Sequence, residues 1–267
     1  QDWLGANDNS IDNYIFKNAT APYTTQKLNL INTSSIVPPS CYFTPVPVTG
    51  CACMQVKVLL EGFYDSGLGE MKTDLGSSAS FPTAQPYNIA PFNYTGTESF
   101  TALPPDTVDW LLLELRDAND FSVVIERQAV LVRKDGFVMQ TDGTLGANFE
   151  NVPVGDYHLA VFHRNHLAVI SANKVELDNT TLVQDFTLTV SSAYGKNQLK
   201  SISGKYVLFA GDISANHIID NADYNYHQIN QGASVGYDKG DLNGDENIDS
   251  SDYDLWFENR YKFGQVQ

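Results

Sequence analysis

Residues 108–117 read Val-Asp-Trp-Leu-Leu-Leu-Glu-Leu-Arg-Asp, and this stretch decides the fold class. In an extended strand, successive side chains point to opposite faces. Apolar side chains occupy both faces here: Val108, Trp110 and Leu112 lie on one, and Leu111, Leu113 and Leu115 lie on the other. A strand that is apolar on both faces is predicted to lie at the centre of a covered sheet.

Further runs with a period of two lie on either side of this strand. The clearest are residues 56–60, 121–132, 157–162 and 182–190, with turns rich in Gly and Asp between them. Short strands at regular spacing are typical of an antiparallel β-sandwich. We therefore predict a mainly β chain whose residues 54–205 form the sandwich. The stretch from Glu61 to Pro105 is a long insertion, which we expect to lie across one sheet or to form a binding surface.

The first 53 residues show little periodicity and are rich in Asn, Thr, Ser and Pro. This composition predicts an extended N-terminal arm over residues 1–53. Two interpretations of the arm stay open. It covers its own domain in a monomer, or it adds to a sheet edge of a neighbouring subunit and makes the protein a polymer.

The three cysteines, Cys41, Cys51 and Cys53, lie within 13 residues of one another. Their spacing fits no zinc pattern, because no fourth Cys or His is near. We predict one disulfide, from Cys41 to Cys51 or Cys53, which indicates an oxidising compartment. The remaining cysteine is then a free thiol or a bridge between chains.

Charge is distributed unevenly along the 267 residues, which carry 32 acidic and 16 basic side chains and a formal net charge of −16. This acidity argues against nucleic acid as a partner, since that needs clustered Lys and Arg. No uninterrupted apolar stretch is long enough for a membrane span. Residues 211–260 hold 11 acidic and 2 basic side chains, so that their net charge is −9. Such a block is either a solvated acidic face or a cation site, and residue spacing decides between them.

Two segments of this block align residue for residue at an offset of 29: residues 211–224 read Gly-Asp-Ile-Ser-Ala-Asn-His-Ile-Ile-Asp-Asn-Ala-Asp-Tyr, and residues 240–253 read Gly-Asp-Leu-Asn-Gly-Asp-Glu-Asn-Ile-Asp-Ser-Ser-Asp-Tyr. Both have the spacing of a twelve-residue EF-hand-type loop, whose oxygens surround one calcium ion. The predicted ligands of the first loop are Asp212, Ser214, Asn216, the carbonyl of Ile218, Asp220 and Asp223. Those of the second are Asp241, Asn243, Asp245, the carbonyl of Asn247, Asp249 and Asp252. We therefore predict two calcium ions.

Both loops depart from the usual pattern at two positions. Position 6, where a positive φ normally requires Gly, holds His217 in the first loop and Glu246 in the second. Position 12 holds Asp in place of the longer Glu. We expect the affinity for calcium to be weak to moderate, and higher in the second loop than in the first. Ile219 and Ile248 stand at position 8, where we expect the two loops to pair.

A helix is predicted after each loop, with the apolar stripes Ala222, Tyr226, Ile229 and Tyr253, Trp256, Phe257. A loop followed by a helix, without an entering helix, resembles the dockerin arrangement, and residues 206–267 are similar to a dockerin-type repeat pair. His227 stands opposite Trp256 in the alignment, and this mismatch favours docking onto the sandwich over binding a cohesin-type partner.

Residues 154–159 resemble the turn into a late strand of prealbumin-like sandwiches. The wider stretch, residues 56–186, resembles a prealbumin- or Ig-like module near the C-termini of large secreted surface proteins of Gram-negative bacteria. In those proteins a calcium-binding repeat usually follows. The resemblance implies an extracellular or cell-surface location and a structural or binding role.

Catalytic candidates are weak. His163 and His166, three residues apart, are expected on opposite faces of a strand as structural polar residues, and no nucleophile elbow, P-loop or dinucleotide motif occurs. We predict a non-catalytic structural or adhesion protein of the bacterial surface or extracellular matrix, stabilised by calcium and able to form filaments through its arm. The alternative is a carbohydrate-binding or dockerin-type scaffold-attachment module, with a glycan or a surface protein as partner.

Overall fold

The structure is a computed structural model that describes residues 14–15, 27–28, 52–149, 152–177 and 182–266. Strands β1 (Tyr14–Ile15) and β2 (Lys27–Leu28) pair with each other in a unit of residues 1–39, and residues 40–267 form a second compact unit. The predicted arm therefore lies almost entirely outside the described residues.

The second unit is built mainly from strands. They are β3 (Ala52–Lys57), β4 (Tyr64–Asp65), β5 (Glu70–Met71), β6 (Thr107–Asp117), β7 (Val124–Arg133), β8 (Val138–Met139), β9 (Ala147–Phe149), β10 (Gly155–Phe162), β11 (Val169–Ile170), β12 (Val175–Leu177), β13 (Leu182–Asp185), β14 (Lys200–Ile202) and β15 (Lys205–Val207). A 3₁₀ turn spans Val190–Ser192, and the described α-helices are α1 (Asn221–Asn230) and α2 (Ser250–Asn259).

The larger sheet is antiparallel and has β6 at its centre. Its order is β11-β10-β6-β7-β8, with β12 also paired to β10. Residues Thr107 to Arg116 of β6 are all buried, and Trp110 has no exposed surface. The prediction of a central strand covered on both faces is confirmed.

The smaller sheet has the order β13-β3-β9 and contains one parallel pair, β13 with β3. The predicted antiparallel pairing therefore has one parallel exception, at this edge. On β3, Met54 and Val56 are fully buried, as are Val58 and Leu60 just beyond the strand. The strand predicted at 182–190 stops at Asp185, whose carboxylate accepts a hydrogen bond from the backbone of Thr187 (2.7 Å) and turns the chain.

The insertion at residues 61–105 packs its aromatic side chains onto the larger sheet. Phe100 stacks on Trp110 with a centroid distance of 6.1 Å, and the hydroxyl of buried Tyr87 donates to the carbonyl of Trp110 (2.7 Å). The backbone carbonyl of Pro82 accepts from the Trp110 indole (3.0 Å). The insertion thus covers one sheet, which was one of the two expectations for it.

Candidate metal centre

The two loops of the C-terminal repeat adopt the same backbone conformation. Positions 4 and 6 have positive φ in both, at 52° and 68° for Ala215 and His217 and at 77° and 67° for Gly244 and Glu246. A side chain other than Gly is disfavoured in this conformation. The left-handed turn expected at position 6 is therefore present in each loop, although neither has Gly there.

The carboxylate at position 1 turns inward and organises each turn. Asp212 accepts hydrogen bonds from the backbone amides of Asn216 and His217, both at 3.0 Å. Asp241 accepts from the amides of Gly244 (2.7 Å) and Glu246 (2.9 Å). Both carboxylates are buried within their own loops.

The carboxylate at position 12 closes each loop. Asp223 accepts from the amides of Ser214 (2.7 Å) and Asp220 (2.9 Å). Asp252 accepts in the same way from Leu242 (2.7 Å) and Asp249 (2.9 Å). Neither side chain has any exposed surface.

The residues at position 9 cap the helices that follow. Asp220 and Asp249 are the N-caps of α1 and α2, and each forms a capping box with the aspartate three residues later. Such a box satisfies backbone donors that a helix otherwise leaves unpaired at its first turn. One pair of aspartates therefore closes the loop and starts the helix in each repeat.

Burial of these carboxylates dominates the electrostatics. Burial and the neighbouring Asp223 charge raise the pKa of Asp212 to about 7, and burial raises the pKa of Asp223. Burial, partly offset by backbone hydrogen bonds, raises the pKa of Asp252 to about 6. The pKa of Asp241 is also raised by burial, although the Arg164 guanidinium opposes the effect. Each loop thus buries carboxylates that repel one another.

The predicted ligands do not converge through carboxylates alone. Within the described ranges, no group of three or more His, Cys, Asp or Glu side chains lies close enough together to hold a metal ion. Several polar side chains instead bond inside the loop: Asn216 accepts from the amide of Ile218 (2.9 Å), and Asp245 accepts from that of Asn247 (2.9 Å). A cation here would need Ser, Asn and carbonyl oxygens beside the two inward carboxylates, a donor set that suits a hard ion such as Ca²⁺.

The prediction that Ile219 and Ile248 pair the loops with each other is wrong. The amide of Ile219 donates to the carbonyl of Lys262 (2.9 Å), and that of Ile248 donates to the carbonyl of Ala233 (3.1 Å). Each loop therefore pairs with the segment that follows the other loop's helix. The two repeats are interlocked in this way.

The apolar stripe predicted for α1 is also wrong. Ala222 is exposed and Ile229 is 81% exposed, whereas the buried residues of α1 are Asp223 and His227. On α2, Trp256 is buried as predicted, but Phe257 is 43% exposed. The closing aspartate of each loop takes a buried position in its helix, which displaces the apolar stripe.

Hydrogen bonds from a cluster of polar side chains hold the second loop against the sandwich. The sequence patterns did not indicate this cluster. The side-chain amide of Asn165 donates to the carbonyl of Asp241 (2.7 Å), and Arg164 donates to the carbonyls of Asp238 and Asp241. Ser80 donates to the Glu246 carboxylate (2.6 Å), as does Ser78. Asp109, a charged residue inside the largely apolar run of β6, was a signal in the sequence, because a buried charge needs partners.

Asp109 lies at the centre of this cluster. Its carboxylate accepts from the Tyr237 hydroxyl (2.7 Å) and the Arg164 guanidinium (3.1 Å), and His163 Nε2 lies 3.0 Å away. The Nδ1 atoms of His163 and His166 are 2.8 Å apart. The prediction that these histidines lie on opposite faces is wrong, because β10 ends at Phe162 and the chain turns before them. Asp109, His163, Arg164, Asn165 and His166 are buried, and Tyr237 is partly buried.

Other predictions fall partly outside the described residues. Cys41 and Cys51 lie there, so the disulfide stays a prediction. Neither described helix is long and apolar enough to cross a membrane.

Comparisons with known proteins find only distant similarity. No family model and no curated protein matches the chain. One solved structure, an N-terminal interface mutant of a type II cohesin–X-dockerin complex from Acetivibrio cellulolyticus, matches with a TM-score of 0.41 and 12% identity over 79% of this chain and 97% of that chain. A C-terminal interface mutant of the same type of complex matches with a TM-score of 0.38 and 13% identity over the same shares. Both TM-scores are low, so neither likeness defines the function of this chain.

Proposed function

We propose that this chain is a non-catalytic structural module of an extracellular bacterial surface, and that two calcium ions stabilise its C-terminal repeat pair. The observation that carries the proposal is the identical loop conformation, with a positive φ at His217 and at Glu246. The two loops differ at most positions, yet each has a residue other than Gly at a positive φ at position 6. Binding of the same kind of ion by both loops accounts for the presence of this turn in each.

Burial of like charges supports a cation in each loop. Asp212 and Asp223 are both buried, and the charge of Asp223 adds to burial in raising the pKa of Asp212. Two buried carboxylates are costly unless a cation or a proton neutralises them. A Ca²⁺ ion at each loop neutralises this charge, so that binding and folding of the repeat are linked.

The contacts between loop and sandwich support a structural role for the ions. Arg164 and Asn165 hold the carbonyl of Asp241, which is position 1 of the second loop. Calcium that orders the second loop therefore also fixes the carbonyl through which the loop is bound to the sandwich.

Isothermal calorimetry tests the proposal on full-length protein first stripped with a chelator. We expect two calcium sites and a rise in melting temperature on adding calcium. Electron microscopy with and without calcium tests the structural role, since filaments support it. A stripped protein that takes up no calcium would overturn the proposal.

Scaffold attachment is a second candidate, favoured by exposed apolar side chains on the repeat. Ile229 of α1 is 81% exposed, and Tyr261, just after α2, is 77% exposed. Exposed apolar groups of this kind mark protein interaction sites when they cluster. Pull-down with purified cohesin-type domains, comparing wild type with Ile229→Ser, distinguishes this role.

A carbohydrate-binding role has its own candidate location. A cavity of about 340 Å³ is lined by Phe121, Tyr194, Asn119, Asp120, Ser122 and Gln265. Aromatic and amide side chains together are a common lining for polar ligands. Binding on a glycan array that Tyr194→Ala abolishes would favour this alternative.

We also propose that the protein polymerises through its N-terminal arm and that it lies in an oxidising compartment. Both proposals rest on residues outside the described part of the chain. Deletion of residues 1–40 followed by light scattering tests polymerisation through the arm. Large assemblies that persist after the deletion would contradict it. Intact mass after alkylation, with and without reductant, tests the disulfide and with it the oxidising compartment.

A further inference from the structure

Lys200, Glu61 and Asn259 meet where α2 lies against the sandwich. Lys200 belongs to β14, Glu61 follows β3, and Asn259 is the last residue of α2. The Lys200 Nζ atom lies 3.2 Å from Asn259 Oδ1 and also donates to Glu61 Oε1. Glu61 is 3% exposed and Asn259 is 1% exposed.

The Asn259 carboxamide is held in a fixed orientation. Its nitrogen donates to the carbonyl of Ala210 (2.8 Å) and to Glu61 Oε2, so its oxygen is left facing the Lys200 amine. Glu61 Oε2 also accepts from the amide of Ala210 (3.0 Å). One carboxylate therefore contacts both the amine and the amide nitrogen.

We propose that Lys200 and Asn259 become joined by an intramolecular isopeptide bond, with Glu61 as the proton carrier. The neutral Lys200 amine attacks Cγ of Asn259 and forms a C–N bond. Glu61 accepts the amine proton and delivers it to the departing amide nitrogen, whose C–N bond breaks. The products are one secondary amide and one ammonia, and no oxidant or other reactant is needed.

The electrostatics of the group fit this role for Glu61. Burial raises the pKa of its carboxyl, although Lys200 and the amide of Ala210 oppose the effect. A carboxyl of raised pKa exchanges protons readily near neutral pH. Near-contact of the reacting groups in a fixed orientation supplies most of what such a reaction needs.

Glu258 acts against the reaction. It is 65% exposed and accepts from Lys200 Nζ at 2.8 Å. Burial alone lowers the pKa of Lys200, but its hydrogen bonds to Glu258 and Glu61 outweigh burial and raise that pKa. The fraction of Lys200 in the neutral form is therefore small, and we expect the bond to form slowly. Glu258→Gln is expected to accelerate it.

The bond would tie the sandwich covalently to the far end of the repeat pair. It goes beyond the proposed function, because it requires neither calcium nor a partner. A covalent tie across this contact resists unfolding of the repeat even after calcium is removed.

Tryptic mapping of the full-length protein tests the proposal. The expected product joins peptide 197–205, uncut at Lys200, to peptide 240–260, with a mass lower by one ammonia than that of the two together. Mapping is used because it locates the bond, whereas intact mass gives only the total loss of ammonia. Complete cleavage at Lys200, with peptide 240–260 recovered unjoined after long incubation of folded protein, would overturn the proposal.

Matched variants separate chemistry from folding. Lys200→Arg and Glu61→Gln are expected to abolish the joined peptide, whereas Lys196→Arg, at an exposed lysine, leaves it intact. Asn259→Asp is expected to give a joined peptide of the same mass as wild type, because water leaves in place of ammonia. A joined peptide that persists in Lys200→Arg would contradict the assignment of the amine.

Discussion

His227 and Trp256 occupy the same position in the two repeats, and each donates a hydrogen bond from its ring N–H to a backbone carbonyl of the other repeat. His227 Nε2 donates to the backbone carbonyl of Asp249 at 2.7 Å, and Trp256 Nε1 donates to that of Asp220 at 3.0 Å. Each side chain thus holds the loop-to-helix junction of the other repeat. The His–Trp difference looks like a mismatch in the alignment. In the structure, however, both rings donate a hydrogen bond to the corresponding backbone carbonyl of the other repeat.

Trp256→Phe tests this reciprocal contact. The substitution keeps an aromatic ring in the packed site but removes the indole N–H, which leaves the carbonyl of Asp220 without that donor. We expect a loss of about 1 kcal/mol in the free energy of unfolding, from urea denaturation in calcium buffer. Tyr253→Phe on the same helix is the control. Equal stability of Trp256→Phe and the control would show that the indole hydrogen bond contributes nothing.

Asp212→Ala and Asp241→Ala test the calcium loops one at a time. Each change removes the inward carboxylate at position 1, and we expect calorimetry to show one site lost in each variant and both lost in the double variant. Asp254→Ala, an exposed acidic residue of α2 outside the ligand set, is the control for net charge. If the double variant keeps its calcium binding and its melting temperature, the loops are not the sites.

Local patterns predicted the strands and the loop spacing, because both depend on residues close in sequence. The alternation in residues 108–115 predicted β6, and the 29-residue repeat located both loops and the starts of both helices. Asp220 and Asp249 were counted as ligands, and the spacing alone did not show that they also cap the helices.

Contacts between distant segments were not predictable in this way. The pairing of Ile219 with Lys262 and of Ile248 with Ala233 depends on how the two repeats interlock, which no single repeat encodes. His163 and His166 were placed on opposite faces because the end of β10 at Phe162 carries no Gly or Pro signal. The attachment of Glu246 to Ser78 and Ser80 joins residues more than 160 positions apart.

Glu246→Gly separates the two roles of that residue. Gly adopts the positive φ of position 6 without steric conflict, but it removes the carboxylate that binds Ser78 and Ser80. We expect calcium affinity of the second loop to be kept or raised, and hydrogen exchange of residues 76–80 to become faster. His217→Gly is the matched change in the first loop and is expected to leave exchange at 76–80 unaltered. Unchanged exchange in Glu246→Gly would show that the serine contacts do not hold the insertion.

Asp109→Asn tests the buried network that joins β6 to the second loop. Burial alone would raise the pKa of Asp109, but Arg164 and His163 outweigh it, and the Tyr237 hydroxyl adds to them, so that this pKa falls to about 2. Replacing the carboxylate leaves the Arg164 guanidinium buried without its counter-charge. We expect a loss of about 3–5 kcal/mol at neutral pH.

The pH dependence of that loss gives the sharper test. Because the folded pKa of Asp109 lies below its ordinary value of about 4, its ionised form stabilises the fold above about pH 4. This contribution disappears as the pH falls through about 2. Chemical denaturation of wild type and Asp109→Asn, each measured from pH 7 down to the lowest pH at which the wild type folds, should show the stability gap narrowing only at the acid end. Asp117→Asn, at the end of β6, is the control, because an amide oxygen can still accept from the amides of Asn119 and Asp120 as the carboxylate does. A gap that stays constant down to the acid limit would mean that the Asp109 charge does not stabilise the network.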